Sequence, residues 1–254
     1  MPSPLYSVRK DNLLITIQDG NYNYTDEIGI HDIQLEIKQG ETIALMGPNG
    51  AGKSTLFKIL VGLLPLSSGH YHFKDWTIDD TFLKDPHRAG QLFQQVGLIF
   101  QNSDTQLFNT SVYDELAFGP RQLGLAAVEI DQRVNDTIAL LEIEHLRDRI
   151  PYHLSGGEKK LVAIASVLTM NPSLLLFDEP FNGLSPKYQK LIVALLQDLK
   201  TAGKTIVISS HHFDQIAPIV ERVLLFSEEH TITGSYDRAD WEHHPDIQQS
   251  FSTC

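Results

Sequence analysis

The sequence has almost no cysteine. One residue in 254, Cys254, leaves no partner for an internal disulfide. Long apolar runs are also missing: the longest, Leu161 to Met170, is interrupted by Ser166 and Thr169 and falls well short of a membrane span. Basic charge is scarce, with 20 Lys and Arg against 32 Asp and Glu and a formal net charge of −12. That balance argues against binding nucleic acid by phosphate neutralisation and against direct attachment to anionic lipid, while leaving open docking on a membrane protein. The opening residues, Met1-Pro2-Ser3-Pro4-Leu5-Tyr6, carry no signal-peptide core, and the chain has no internal repeat or low-complexity segment. These absences point to a cytoplasmic protein. The chain is long enough to bury a substantial core as a single domain.

The stretch Gly47-Pro48-Asn49-Gly50-Ala51-Gly52-Lys53-Ser54-Thr55 fits the phosphate-binding loop of nucleotide hydrolases. Its glycines let successive N–H groups turn toward phosphate oxygens. Lys53 brings a point charge to the terminal phosphates, and the Ser54 hydroxyl is a ligand type suited to Mg²⁺. The motif has meaning only between a strand and a helix. Glu41 to Met46 reads as a buried strand, and a helix from Ser54 would aim its positive end at the same anion.

Upstream, Leu13 to Lys38 alternates apolar and polar, with turns expected at Asp19-Gly20 and near Thr25, and alternation returns from His70 to Ile78. Gln95 to Phe100 reads as a buried strand. From Ser111 to Thr169 the period becomes helical, best at Ala126–Leu141 and at Gly156–Met170, the latter opening after the N-cap candidate Ser155. Leu174–Phe177, Thr205–Ile208 and Val223–Phe226 then read as buried strands, with a helix over Pro186–Lys200 and a short one near Asp214. Buried strands alternating with helices imply a mainly parallel α/β core. The expected architecture is one domain over 1–254: an ATP-binding-type core with an N-terminal antiparallel β subdomain (about 1–95 and 171–235), an inserted α-helical subdomain (about 101–170) and a polar tail over 236–254.

Two further stretches carry chemistry. The strand Leu174–Phe177 ends in Asp178-Glu179, which delivers two carboxylates to the sheet edge where phosphates would sit. Asp178 suits Mg²⁺, and Glu179 suits polarising a water that attacks the terminal phosphate. In Leu154-Ser155-Gly156-Gly157-Glu158-Lys159-Lys160, a Ser-Gly-Gly turn opens a helix, a second anion-binding terminus in the same chain. One nucleotide does not need both. A two-fold dimer resolves this if each Ser-Gly-Gly closes on the nucleotide of the other chain; a capped helix alone is the plainer reading. The pairs His211-His212 and His243-His244 suggest metal binding, but eleven histidines without ligand spacing favour solvated roles.

With these motifs in this order, the chain resembles the ATP-binding subunits of ABC transporters from about residue 10 to 235. The resemblance implies ATP and Mg²⁺ as cofactors, with ATP held by Gly47 through Thr55. It implies that Tyr24 stacks on adenine and that Gln101 senses Mg²⁺ and faces the membrane partner. Ser155, Gly156, Gly157 and Glu158 become the signature that meets the partner chain's ATP, and His211 becomes a switch contacting the γ-phosphate. Ser54, Gln101 and Asp178 are the implied Mg²⁺ ligands; Lys53, Glu179 and His211 are the implied catalytic set. The sequence departs from the family's pattern where Glu158 replaces the more frequent Gln, Phe181 a usual Thr and Ser185 a common Asp.

A narrower resemblance, over Phe100 to Leu125, is to the ATPases of energy-coupling-factor importers, including those for cobalt and nickel. The Gln106-Leu107-Phe108 and Ala117-Phe118-Gly119-Pro120 elements carry it. It implies a second ATPase chain, identical or different, a transmembrane coupling subunit and a substrate-binding membrane subunit, with no nucleic acid. The ATPase would then lie on the inner face of the membrane. Leu107, Phe108, Val112, Leu116 and Phe118 are candidates for the groove that receives the coupling subunit, although core packing accounts for them equally. The rival reading is a soluble ABC ATPase acting on DNA or the ribosome, and a third is a regulatory subunit with a decayed site, hinted at only by Ser185.

Overall fold

The computed structural model describes residues 12–25, 28–211 and 213–242. The described residues open with two long antiparallel strands, β1 (Leu13–Asn23) and β2 (Ile28–Lys38). The turn expected at Asp19-Gly20 is instead a bulge within β1. Asp19 takes φ 50°, and the β1–β2 register shifts between Ile17 and Gly20. An extra residue in one strand bends it without ending it. Strand β3 (Thr42–Met46) then leads through the Gly47–Thr55 loop into helix α1 (Lys53–Leu60), and β4 (Ser68–Phe73) and β5 (Trp76–Thr77) return to the first sheet.

Two short helices follow, α2 (Asp80–Lys84) and α3 (Pro86–Gln95), to which the sequence reading assigns nothing. Their signals are local: Asp79 caps α2 by accepting from Phe82 N at 2.7 Å, and Asp85 caps α3 with Pro86 in its first turn. Strand β6 (Val96–Ile99) precedes the helical block: α4 (Val112–Gln122), α5 (Ala127–Leu140) and α6 (Gly156–Leu168). The remainder alternates as expected, through β7 (Leu174–Asp178), α7 (Pro186–Thr201), β8 (Thr205–Ser209), α8 (Phe213–Ile216) and β9 (Arg222–Phe226). The polar tail expected over 236–254 is regular structure as far as 242. Ile232–Asp237 forms β10 and Arg238–Glu242 forms α9, with Trp241 buried edge-on against Phe213. Residues 243–254, with His243 and His244, lie outside the described residues, as does His212.

Two sheets result. The antiparallel one runs β2-β1-β4-β5, and the larger runs β10-β9-β3-β8-β7-β6, parallel except for the β10–β9 pair. Alternate residues of the central strands serve two cores, as the two-residue period of a strand requires. Ile43 and Leu45 of β3 and Leu174 and Leu176 of β7 face the antiparallel sheet and α1, while Ala44, Met46, Leu175 and Phe177 face the helical block and α7. Parallel strands bring their carboxyl ends to one edge, where ligand sites of such sheets form. At that edge stand Gly47 after β3, Asp178 closing β7, Ser209 closing β8 and the segment after β6 that holds Gln101.

Candidate phosphate site and signature turn

Glycine is required at both ends of the phosphate loop. Gly47 sits at φ 141°, and a Cβ there would lie 2.6 Å from Phe226 O. Gly52, at φ 105°, would drive a Cβ to 2.5 Å from Ile30 Cγ2. Gly52 is also the N-cap of α1, whose first turn has neither a side-chain cap nor an acidic residue. The positive end of that helix therefore opens on a cleft of about 190 Å³. Asn49 to Thr55, Gln101, Asp178 and Glu179 line it.

Lys53 is buried and donates from Nζ to Gly47 O at 2.5 Å and Pro48 O at 2.9 Å, which curls the loop around the ammonium. Ser54 Oγ donates to Asp178 Oδ2 at 2.7 Å, and Ser209 Oγ donates to Asp178 Oδ1 at 2.7 Å. Both oxygens of this buried carboxylate are thereby oriented. Glu179 is buried in the left-handed region at φ 47°, its N–H donating to Ser209 O and Oγ, each at 3.1 Å. A non-glycine residue at such a φ is uncommon. His211 N donates to Glu179 Oε2 at 3.3 Å, and His211 Nε2 lies 3.1 Å from Glu179 Oε1 and 3.0 Å from Asn49 Oδ1. Histidine thus joins the phosphate loop to the acidic strand end.

The donor set fits Mg²⁺. Ser54 Oγ and Asp178 Oδ2 are hard oxygen ligands side by side on the cleft wall. Among the described residues no group of three or more His, Cys, Asp or Glu forms a closed metal cage. Mg²⁺ takes one or two protein oxygens and completes its shell with water and substrate phosphates.

Tyr24 is part-exposed above the loop, its hydroxyl 3.1 Å from Thr55 Oγ1 and its ring edge-on to Tyr22. The signature residues are elsewhere: none of Ser155, Gly156, Gly157 or Glu158 lines the phosphate cleft. Ser155 and Glu158 form a full capping box at the start of α6. Glu158 Oε2 accepts from Ser155 N at 2.8 Å and from Ser155 Oγ at 2.7 Å, while Glu158 N donates to Ser155 Oγ at 3.4 Å. The Ser155 hydroxyl bond, then the Ser155 N–H, hold the Glu158 carboxyl below the usual glutamate range. Gly157 is pressed on Tyr188, where a Cβ would come within 2.8 Å of the ring. Ser185 is exposed at the N-cap of α7 and makes no side-chain cap bond.

Val112 and Leu116 of the candidate groove are fully buried core residues, because the helical block needs an interior of its own. Phe108 and Phe118 are exposed and meet edge-on at 5.0 Å. A separate apolar groove of about 300 Å³, absent from the sequence reading, opens among Val61, Leu63, Phe93, Phe100, Val167 and Met170. Its residues come from three separate stretches, 61–63, 93–100 and 166–172, so no periodicity could reveal it. Ser209 also escapes a motif reading, since only the pairing of β7 with β8 sets it against Asp178.

Residues 30–182 match the ABC transporter family, more than half of the chain. The nickel import ATP-binding protein LarO of Lactiplantibacillus plantarum is 49% identical over 232 residues, covering 91% of this chain and 96% of that protein. The energy-coupling factor transporter ATP-binding protein EcfA of Methanothermobacter thermautotrophicus is 39% identical over 215 residues, 84% of this chain and 68% of the relative. Among solved structures, cbiO1 of Clostridium perfringens, part of the ABC transporter complex cbiONQ, superposes with a TM-score of 0.80 at 34% identity, covering 94% of both chains. The chain belongs to the ABC transporter family. Within it, the chain is an ATP-hydrolysing subunit of the energy-coupling-factor importer type.

Proposed function

We propose that this chain is one of two ATPase subunits that close around ATP to drive uptake of a transition metal ion, nickel before cobalt. The observation that carries this reading is the convergence of Lys53, Ser54, Asp178 and Glu179 on one cleft, with His211 against its Asn49 and Glu179, while no residue of the Ser155-Gly156-Gly157 turn lines it. A cleft lacking its own signature is completed by a second chain, identical or different, and the intact set of catalytic groups speaks against a decayed regulatory site. Lys53 and the loop N–H groups hold the phosphates, and Tyr24 swings from Thr55 to cover adenine. Ser54 and Asp178, with Gln101 alongside, would hold Mg²⁺, which when bound would supply charge neutralisation to the transferring phosphoryl group. Glu179, its main chain fixed on Ser209 and its carboxylate held by His211, orients the attacking water and takes its proton as the bond to the leaving ADP breaks.

Among the described residues no helix is long and apolar enough to cross a membrane. Membrane attachment at the cytoplasmic face would therefore come through partners: a transmembrane coupling subunit and a substrate-binding subunit. The groove between Leu63, Phe93 and Phe100 suits an apolar helix of the coupling subunit, because Phe100 immediately precedes Gln101 and links that surface to the cleft. Nickel is favoured over vitamins by the relative at 49% identity. The soluble DNA or ribosome reading has no support among the transport ATPases that the chain matches.

Uptake of radiolabelled nickel, cobalt and vitamins by cells lacking this chain tests the proposal. Nickel accumulation should disappear, return with the wild-type chain and fail to return with Glu179→Gln. Undiminished nickel uptake in the deletion would overturn the metal assignment, and restoration by Glu179→Gln would overturn the motor assignment.

A further inference from the structure

Lys160 lies in the second turn of α6 and has no role in any motif above. Its side chain is buried, and Nζ donates to two main-chain carbonyls, Phe100 O at 3.1 Å and Gln101 O at 2.7 Å. Burial pushes the ammonium below the usual lysine range, while the negative fields of Asp178 and Glu179 oppose that shift. Enclosing a charge costs several kcal/mol, and an apolar side chain of similar volume would fill the space without that cost. Packing alone therefore does not account for a lysine here.

Its neighbours strengthen the same connection. Lys159 pairs with Asp104 at 2.6 Å, and Gln106 Nε2 donates to Ala163 O at 3.1 Å while its Oε1 accepts from Phe100 N at 3.4 Å. The Lys159 pair is exposed on its acidic side and contributes little. Lys160 is the innermost link and the one that grips the residue lining the phosphate cleft. Its own helix begins four residues earlier with the signature turn, a distance of about one helical turn.

We propose that Lys160 is a positioning residue that fixes the Gln101 backbone to α6. The Gln101 side chain and the Ser155-Gly156-Gly157 turn then move as one body. What the cleft holds at Gln101 is thereby transmitted to the surface that meets the second chain. This rests on the two-chain reading given under Proposed function.

The test uses the full chain in a Glu179→Gln background, which should accumulate the ATP-closed dimer. Light scattering against ATP concentration, with Mg²⁺ present, measures dimerisation; binding of a fluorescent ATP analogue measures the monomer's own site. Adding Lys160→Met should raise the ATP needed for half-dimerisation about tenfold or more, the weight of a hydrogen bond to a charged group. Analogue affinity should stay within about threefold. Lys160→Arg, which keeps charge and donors, should recover most of the dimerisation. If Lys160→Met does not fold, Lys160→Gln carries the test with the same split expected. Unchanged dimerisation, or an equal loss of dimerisation and analogue affinity, would overturn the proposal. If the Glu179→Gln chain itself never dimerises with ATP, the two-chain reading falls and the role of Lys160 falls with it.

Discussion

Helices α1 and α6 both begin with glycine-rich turns, and both read in sequence as anion-binding termini, yet they are finished differently. The α1 terminus has no side-chain cap, no acidic residue in its first turn and a lysine folded into the loop beside it. The α6 terminus is closed on itself by Ser155 and Glu158 and carries a carboxylate where an anion would dock. An uncapped terminus with a cation is ready for phosphate in the isolated chain. A self-capped one has little affinity of its own and needs a phosphate delivered by another surface. On the proposed function, binding belongs to one terminus and response to the other.

The sharpest way to break that division is through Glu179. Glu179→Gln should lower ATP turnover about a hundredfold or more, the range of general-base catalysis, while leaving ATP affinity intact. Turnover above a tenth of wild type in a steady-state assay would remove Glu179 from the reaction. Next in size is Lys53→Met, which should weaken nucleotide binding to the monomer about tenfold or more by calorimetry, through loss of charge-assisted bonds to phosphate. Ser155→Ala is the matched change at the other terminus. It should leave monomer affinity unaltered and cost about 1 kcal/mol of stability through the lost cap, a fall of a few degrees in Tm. Equal losses of affinity from Lys53→Met and Ser155→Ala would erase the distinction between the two ends.

How far this could be read without coordinates varies with the range of the signal. The phosphate loop, the Asp178-Glu179 strand end and the capped start of α6 are legible because each is a local pattern whose residues act where they stand. The bulge at Asp19 reads as a turn because a turn and a bulge use the same residue types, and only the pairing with β2 separates them. Helices α2 and α3 carried readable caps at Asp79 and Asp85, but each is too short to display a period. Ser209, Lys160 and the apolar groove at Leu63 and Phe93 were not legible. Each depends on segments far apart in sequence meeting at a sheet edge, a fact of topology and not of pattern.

The smallest expected effect sharpens the comparison most directly, because it titrates one terminus and not the other. The Glu158 carboxyl is held below the usual glutamate range by Ser155, and no acidic group stands in the first turn of α1. A folded-state pKa below the unfolded one means that the unfolded chain binds the proton first as pH falls. The stabilisation from ionised Glu158 is therefore complete above the usual glutamate pKa of about 4.3 and is lost as pH falls through the lower folded value. Glu158→Gln keeps a capping-box residue that does not titrate. At neutral pH the wild type should melt slightly above Glu158→Gln, and the gap should close as pH is lowered through that window. A gap that persists unchanged in acid would mean that the carboxylate charge contributes nothing to the cap. The same variant removes a negative charge from the surface expected to meet the second chain's phosphate. ATP-driven dimerisation should then improve modestly while stability falls, so that the two readouts move in opposite directions only if the cap and the docking surface are the same place.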